Sequence, residues 1–208
     1  MINDRLLRIS GILASIFGLI LILFGNIKTP TNFRILSDII QNILLFNIIL
    51  LLVLPEQKEL ENALILGVFT MIFDFFLETI AVYLKWWFPK GGFQAPPILI
   101  VPLEMVISFM LIGTTVGIIL NLPEKIRNMD FKLFNWIKFF VKNPRYDLIW
   151  RILFIFVNAV VGTNGDYTAG YEIWVPGPYW HWIYTFFVWF GGGMIILLIF
   201  YYLEKKRD

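Results

Sequence analysis

Long apolar runs, broken by short polar or proline-containing connections, set the pattern of this chain. They cover residues of about 6–25, 37–54, 62–87, 97–121, 147–164 and 180–203. A helix needs about 20 predominantly apolar residues to cross the hydrocarbon core of a bilayer; the second and fifth runs are short by that measure. No stretch alternates strictly between apolar and polar positions, and an open sheet would leave backbone groups unsatisfied in lipid, so each run is read as a helix. The pattern predicts an all-α polytopic membrane protein, a single membrane domain over residues 1–208 with six transmembrane helices. The first run has the positive flank of a signal peptide. It is longer than an h-region and ends in Asn26-Ile27-Lys28 without a small-x-small site, so it is read as a retained span.

Between the fourth and fifth runs, residues of about 128–143 place Lys132, Asn135, Lys138 and Lys142 on one helical side and Phe, Trp, Leu and Ile on the other. That spacing predicts an amphipathic helix in the cytoplasmic interface, its lysines toward anionic headgroups, with membrane lipids as its partner. Asn143-Pro144 ends it, because the residue before proline avoids the helical region.

The basic residues assign the sides. With the N-terminus inside, 13 of the 17 Lys and Arg fall on inner segments; only Lys28, Arg34, Lys85 and Lys90 fall outside. The positive-inside rule then predicts a multi-pass protein of the cell membrane with both termini cytoplasmic. Gly11 with Ser15, Ala14 with Gly18, Gly113 with Gly117, and the triplet Gly191-Gly192-Gly193 allow helices to approach closely, within the chain or between copies in a homo- or hetero-oligomer.

Composition narrows the chemistry. The chain is 59% hydrophobic and 15% charged, against about a quarter charged in globular domains. It has no Cys and one His, His181, which removes thiolate chemistry and a haem held by two of its own histidines. No serine–histidine, phosphate-loop or HExxH pattern is present, so no metal or other cofactor is expected. The cationic residues are scattered beside apolar runs, and nucleic acid is not an expected partner.

Against that background, Phe73–Met110 stands out as a hairpin of two apolar helices around an aromatic, proline- and glycine-rich turn. Asp74 and Glu78, four residues apart, share one helical face; Glu104 lies near the start of the second helix. At about 1.5 Å per residue, Glu78 and Glu104 fall on the order of 10 Å below the outer boundary, with Asp74 one turn deeper. Carboxylates at that depth read as a functional site. No Lys or Arg lies near, which leaves a shared proton, a bound cation or neutral acids; the alternative is acids hydrogen-bonded to a neighbouring helix for structure alone. Asn158 is either an interhelical hydrogen-bonding residue or a ligand contact. The outer ends add Asp166, Tyr167, Tyr171, Glu172, Trp174, Tyr179, Trp180, His181, Trp182 and Tyr184, an aromatic belt in which His181 is either a satisfied interfacial residue or a proton shuttle. The turns holding Trp86, Trp87 and Pro89 and holding Trp174, Pro176 and Trp180 make the two helical hairpins candidate parallel repeats, with a site between them.

The hairpin over residues 73–110 resembles the small membrane carotenoid (lycopene) cyclases. The resemblance rests on Asp74 or Glu78 in one helix, Trp86-Trp87 near its outer end, and Pro102-Leu103-Glu104 before an apolar run containing Phe109. Where that family often has two adjacent glutamates, this chain has Glu104 followed by Met105. The resemblance implies redox-neutral acid catalysis, in which one carboxylic acid protonates a polyene and a second carboxylate removes a proton. The leading expectation is therefore a membrane enzyme acting on an isoprenoid or polyene substrate, with Glu104, Glu78, Asp74 and His181 as catalytic candidates. Trp86, Trp87, Phe109, Asn158, Trp174 and Trp180 would contact that hydrophobic small molecule. A proton- or cation-coupled transporter and an accessory subunit of a membrane complex remain open alternatives.

Overall fold

The computed structural model describes residues 4–25, 31–89, 103–128, 143–168 and 174–205. They form α1 (Asp4–Gly25), α2 (Thr31–Val53), α3 (Gln57–Tyr83), β1 (Trp87–Pro89), α4 (Leu103–Leu120) and α5 (Leu122–Asn128). A 3-10 turn (Pro144–Tyr146), α6 (Asp147–Thr168), β2 (Trp174–Pro176) and α7 (Trp182–Lys205) follow. The architecture is all-helical, as the apolar runs require. Among the described residues four helical stretches are long and apolar enough to cross a membrane: Gln57–Tyr83, Val106–Arg127, Pro144–Tyr167 and Trp182–Lys205. In α1 and α2, the stretches whose side chains are described, Arg8–Ile20 and Ile39–Val53, are apolar as well. The interfacial helix expected at about 128–143 falls outside the described residues except for its ends. Asn128 closes α5, and Asn143 caps the 3-10 turn by accepting the Arg145 N–H at 3.0 Å.

Small residues set how tightly α3 and α4 pack. A Cβ on Gly117 would stand 2.9 Å from the Ala63 Cα, so only hydrogen fits at that crossing. Hydroxyls along the same seam turn back on their own helices: Thr70 donates to the Leu66 carbonyl at 2.7 Å and Thr114 to the Met110 carbonyl at 2.8 Å. Each hydroxyl is thereby satisfied within its own helix where it lies against a glycine of the partner, Thr114 at Gly67 and Thr70 at Gly113. α2 lies on α4, α1 on α2, and α7 bridges α3 and α4 to α6. Leu66, Val116, Leu120, Ile155, Ile196, Leu197 and Phe200 form the buried centre where α3, α4, α6 and α7 meet. Between α1 and α2, Asn47 donates to Ser15 Oγ at 2.7 Å.

Charged residues tie the helix ends together. Lys125 Nζ reaches Glu59 at 2.8 Å, joining α5 to α3. Arg127 makes a two-pronged pair with Asp147 at 2.5 and 2.7 Å, joining α5 to α6. Arg151, 6% exposed, donates to the Leu120 carbonyl and the Tyr201 hydroxyl, each at 2.9 Å. Its guanidinium also stands 4.8 Å from the Phe200 ring centroid. It satisfies a terminal carbonyl of α4 that the helix itself leaves open.

At the opposite end the structure corrects three expectations. The third apolar run extends to 87, but α3 stops at Tyr83 because Lys85 takes a left-handed backbone, φ 59°. Trp86 N–H then donates to the Ala81 carbonyl at 2.8 Å and Lys85 N–H to the Val82 carbonyl at 3.1 Å, the paired bonds of a Schellman stop. Strands were not expected, yet Trp87-Phe88-Pro89 pairs antiparallel with Trp174-Val175-Pro176, Trp87 opposite Pro176 and Pro89 opposite Trp174. Three residues are too few to show an alternating pattern, and a two-stranded ladder has only edge positions, where proline is tolerated. Both strands read Trp-x-Pro, and the pairing is two-fold symmetric about Phe88 and Val175. The fifth run was expected to end near 164. α6 continues to Thr168, because its polar residues find partners: Trp182 Nε1 donates to Asn164 Oδ1 at 3.1 Å and Trp189 Nε1 to Asp166 Oδ2 at 2.7 Å.

Candidate functional site: an acidic, aromatic cavity

A cavity of about 110 Å³ opens between α3, α4, α6 and α7, next to the strand pair. The α3 wall carries Asp74 and Glu78, one turn apart on the buried face as their spacing requires. Asp74 is 3% exposed and Glu78 7% exposed. α6 contributes Asn158 and, one helical stretch nearer the strands, Asp166 and Tyr167. α4 supplies Phe109; α7 supplies Thr185, Trp189, Gly192 and Gly193. Trp87 of β1 and Trp180, just ahead of α7, close the end nearest the strands.

Two of the three carboxylates are held by indole donors. Trp87 Nε1 donates to Glu78 Oε2, and Trp189 Nε1 donates to Asp166 Oδ2 at 2.7 Å. Asp74 differs: its Oδ2 is buried and has no hydrogen-bond partner among the described residues. The three acids are coulombic neighbours, Asp74 of both others and Glu78 of Asp166. Among the described residues no Lys, Arg or His lines the cavity. Among the described residues no three ligating side chains are grouped closely enough to hold a metal ion.

The aromatic wall is built by mutual stacking. Trp180 stacks on Trp86 with centroids 4.7 Å apart and meets Trp87 edge-on at 4.9 Å. Its indole N–H donates to Thr185 Oγ1 at 2.7 Å, which fixes the ring. Phe109 stacks on Trp189 at 5.5 Å. Behind Trp189, a Cβ on Gly162 would stand 2.6 Å from the indole Cδ2, so a hydrogen at that position admits the ring. On the strand side, a Cβ on Gly177 would stand 2.9 Å from the Trp86 carbonyl oxygen, and the Gly177 N–H donates to that oxygen at 2.6 Å.

Asp74, Glu78, Trp87, Phe109, Asn158 and Trp180 of the expected site thus line one cavity. Trp86 stands one ring back, stacked on Trp180 rather than lining the space. His181 is exposed ahead of α7, its ring 5.8 Å from Tyr184 and outside the cavity wall. Glu104 falls in the first turn of α4 and Trp174 in β2, and the side chains of both lie outside the described residues. Asp166 was named from the sequence only as a member of the outer aromatic belt, and Trp189 was not named. The signal was present for Asp166: it precedes the Trp-x-Pro of β2 at nearly the distance by which Glu78 precedes that of β1. Comparison with protein-family models, curated proteins and solved structures gave no match.

Proposed function

We propose that this is an integral membrane enzyme that moves a proton on a lipid-soluble isoprenoid or polyene substrate, without a cofactor. One observation carries the reading: two buried carboxylates, Asp74 and Glu78, and the half-buried Asp166 line an apolar, aromatic cavity with no basic side chain among the described residues, and an oxygen of Asp74 has no partner among them. An acid held in such surroundings is suited to giving up a proton to a carbon–carbon double bond, and a second carboxylate to taking one from the resulting cation. Asp74 and Glu78 are the acid–base pair in this reading, with Glu104 as a third participant from α4. The ring faces of Trp87, Trp180 and Phe109 steady the positive charge between the two steps. The cavity, at about 110 Å³, is below the roughly 300–1,000 Å³ of pockets that enclose a whole drug-sized ligand. It would take the end of a long chain and leave the rest among the lipid tails. In the same reading all six long helices cross the cell membrane and both termini are cytoplasmic, as the distribution of Lys and Arg requires.

The test is turnover of a linear polyene by the purified protein in lipid vesicles, with product resolved by chromatography. Wild-type protein forms a cyclised or double-bond-shifted isomer of unchanged mass. Asp74→Asn and Glu78→Gln each lower the rate by about 100-fold or more, the range attributed to a positioned acid or base. Product formed at wild-type rate by both variants refutes the assignment.

A further inference from the structure

The cavity walls have a charge character independent of any reaction. Three carboxylates line a space in which, among the described residues, no Lys, Arg or His offers a counter-charge. Glu78 and Asp166 each use one oxygen to accept an indole N–H, and each keeps a second oxygen. Asp74 Oδ2 is buried without a donor, although an acceptor withdrawn from water calls for one. Trp87, Trp180, Trp189 and Phe109 present rings to the same space, and ring faces attract cations. Among the described residues the acids are not grouped as an inorganic ion requires, and the cavity they line, about 110 Å³, admits more than one atom. Carboxyl oxygens placed in an apolar, ring-lined cavity are complementary to a positive centre that carries carbon.

We infer that this cavity binds an organic cation, an ammonium centre with apolar substituents, whose N–H is accepted by Asp74 and whose substituents lie against the tryptophan rings. This rests on the cavity described above and not on the proton-transfer reading of it. Glu78 and Asp166 each accept an indole N–H, from Trp87 and Trp189, so they add acidic character to the walls while Asp74 makes the direct contact.

The probe is N,N-dimethylbenzylamine, cationic at neutral pH, compared with isobutylbenzene, its uncharged carbon isostere of nearly the same shape. Binding to the full-length protein in detergent is followed by tryptophan fluorescence and by calorimetry. The amine is expected to bind saturably and at least tenfold more tightly than the isostere. Asp74→Asn is expected to remove that preference, while Glu61→Gln, an exposed carboxylate far along α3, leaves it intact. Equal binding of amine and isostere by wild-type protein overturns the inference and needs no variant, so a folding defect in Asp74→Asn does not protect it. Equal preference in wild type and a folded Asp74→Asn also overturns it. The two readings separate cleanly: amine selectivity without polyene turnover keeps this inference and removes the enzyme, and turnover without amine selectivity does the reverse.

Discussion

Gly162 and Gly165 lie three residues apart on α6, yet alanine at each should move stability in opposite directions. At 162 the new methyl would stand 2.6, 2.7 and 2.9 Å from three atoms of the Trp189 indole. Ordinary contact begins near 3.4 Å, so the ring must retreat by about 0.8 Å. Overpacking of that kind costs about 1–3 kcal/mol. The same ring donates to Asp166 at 2.7 Å and stacks on Phe109 at 5.5 Å. Stretching a hydrogen bond to a buried carboxylate adds about 1–2 kcal/mol, for a total near 2–5 kcal/mol. At 165 the methyl meets nothing within 4 Å, and replacing glycine by alanine inside a helix gains about 0.5–1 kcal/mol. At about 2–4 °C per kcal/mol for a chain of this size, Gly162→Ala should lower the melting midpoint in detergent by about 4–20 °C. Gly165→Ala should raise it by about 1–4 °C. Near-UV circular dichroism should change for the first variant, because a stacked indole moves, and stay constant for the second. Equal midpoints for the two variants, or a wild-type near-UV spectrum for a destabilised Gly162→Ala, would refute the proposed seating of Trp189 and with it the placement of Asp166.

Two further outcomes test the ends of the bundle. Arg151→Met removes donors to the Leu120 carbonyl and the Tyr201 hydroxyl, and should lower stability by about 2 kcal/mol, or about 4–8 °C; an unchanged melt would show that water replaces the guanidinium without penalty. Lys85→Gly relieves a side chain held at φ 59° and should raise the midpoint by about 2–4 °C, for about 1 kcal/mol, with a fall instead indicating that the lysine side chain itself holds the turn.

How much of this was legible beforehand differs by element. The carboxylates of α3 were legible because helical spacing alone puts residues four apart on one face, and hydropathy alone puts them far from water. Small residues at 113 and 117 pointed to close packing for the same reason: the absence of a side chain is visible in sequence. The stop of α3 was not legible, since Lys85 has no intrinsic preference for a left-handed backbone and adopts it only to feed β1 into its partner strand. The strands were equally hidden. A three-residue segment has no periodicity, and its pairing depends on another segment 87 residues away in the chain.

Hydropathy by itself determined that this chain is helical and suited to a bilayer, because a run of some 20 apolar residues has few other ways to satisfy its backbone in hydrocarbon. It also determined that acids would be buried on α3. Only the tertiary structure decided what those acids face. Asp166 comes to the same cavity as Asp74 and Glu78 because the strand pair clamps the two hairpins together and because Gly162 leaves room for the indole that holds it. Convergence of residues 88 apart, such as Glu78 and Asp166, on one cavity is a property of packing. No local periodicity encodes it.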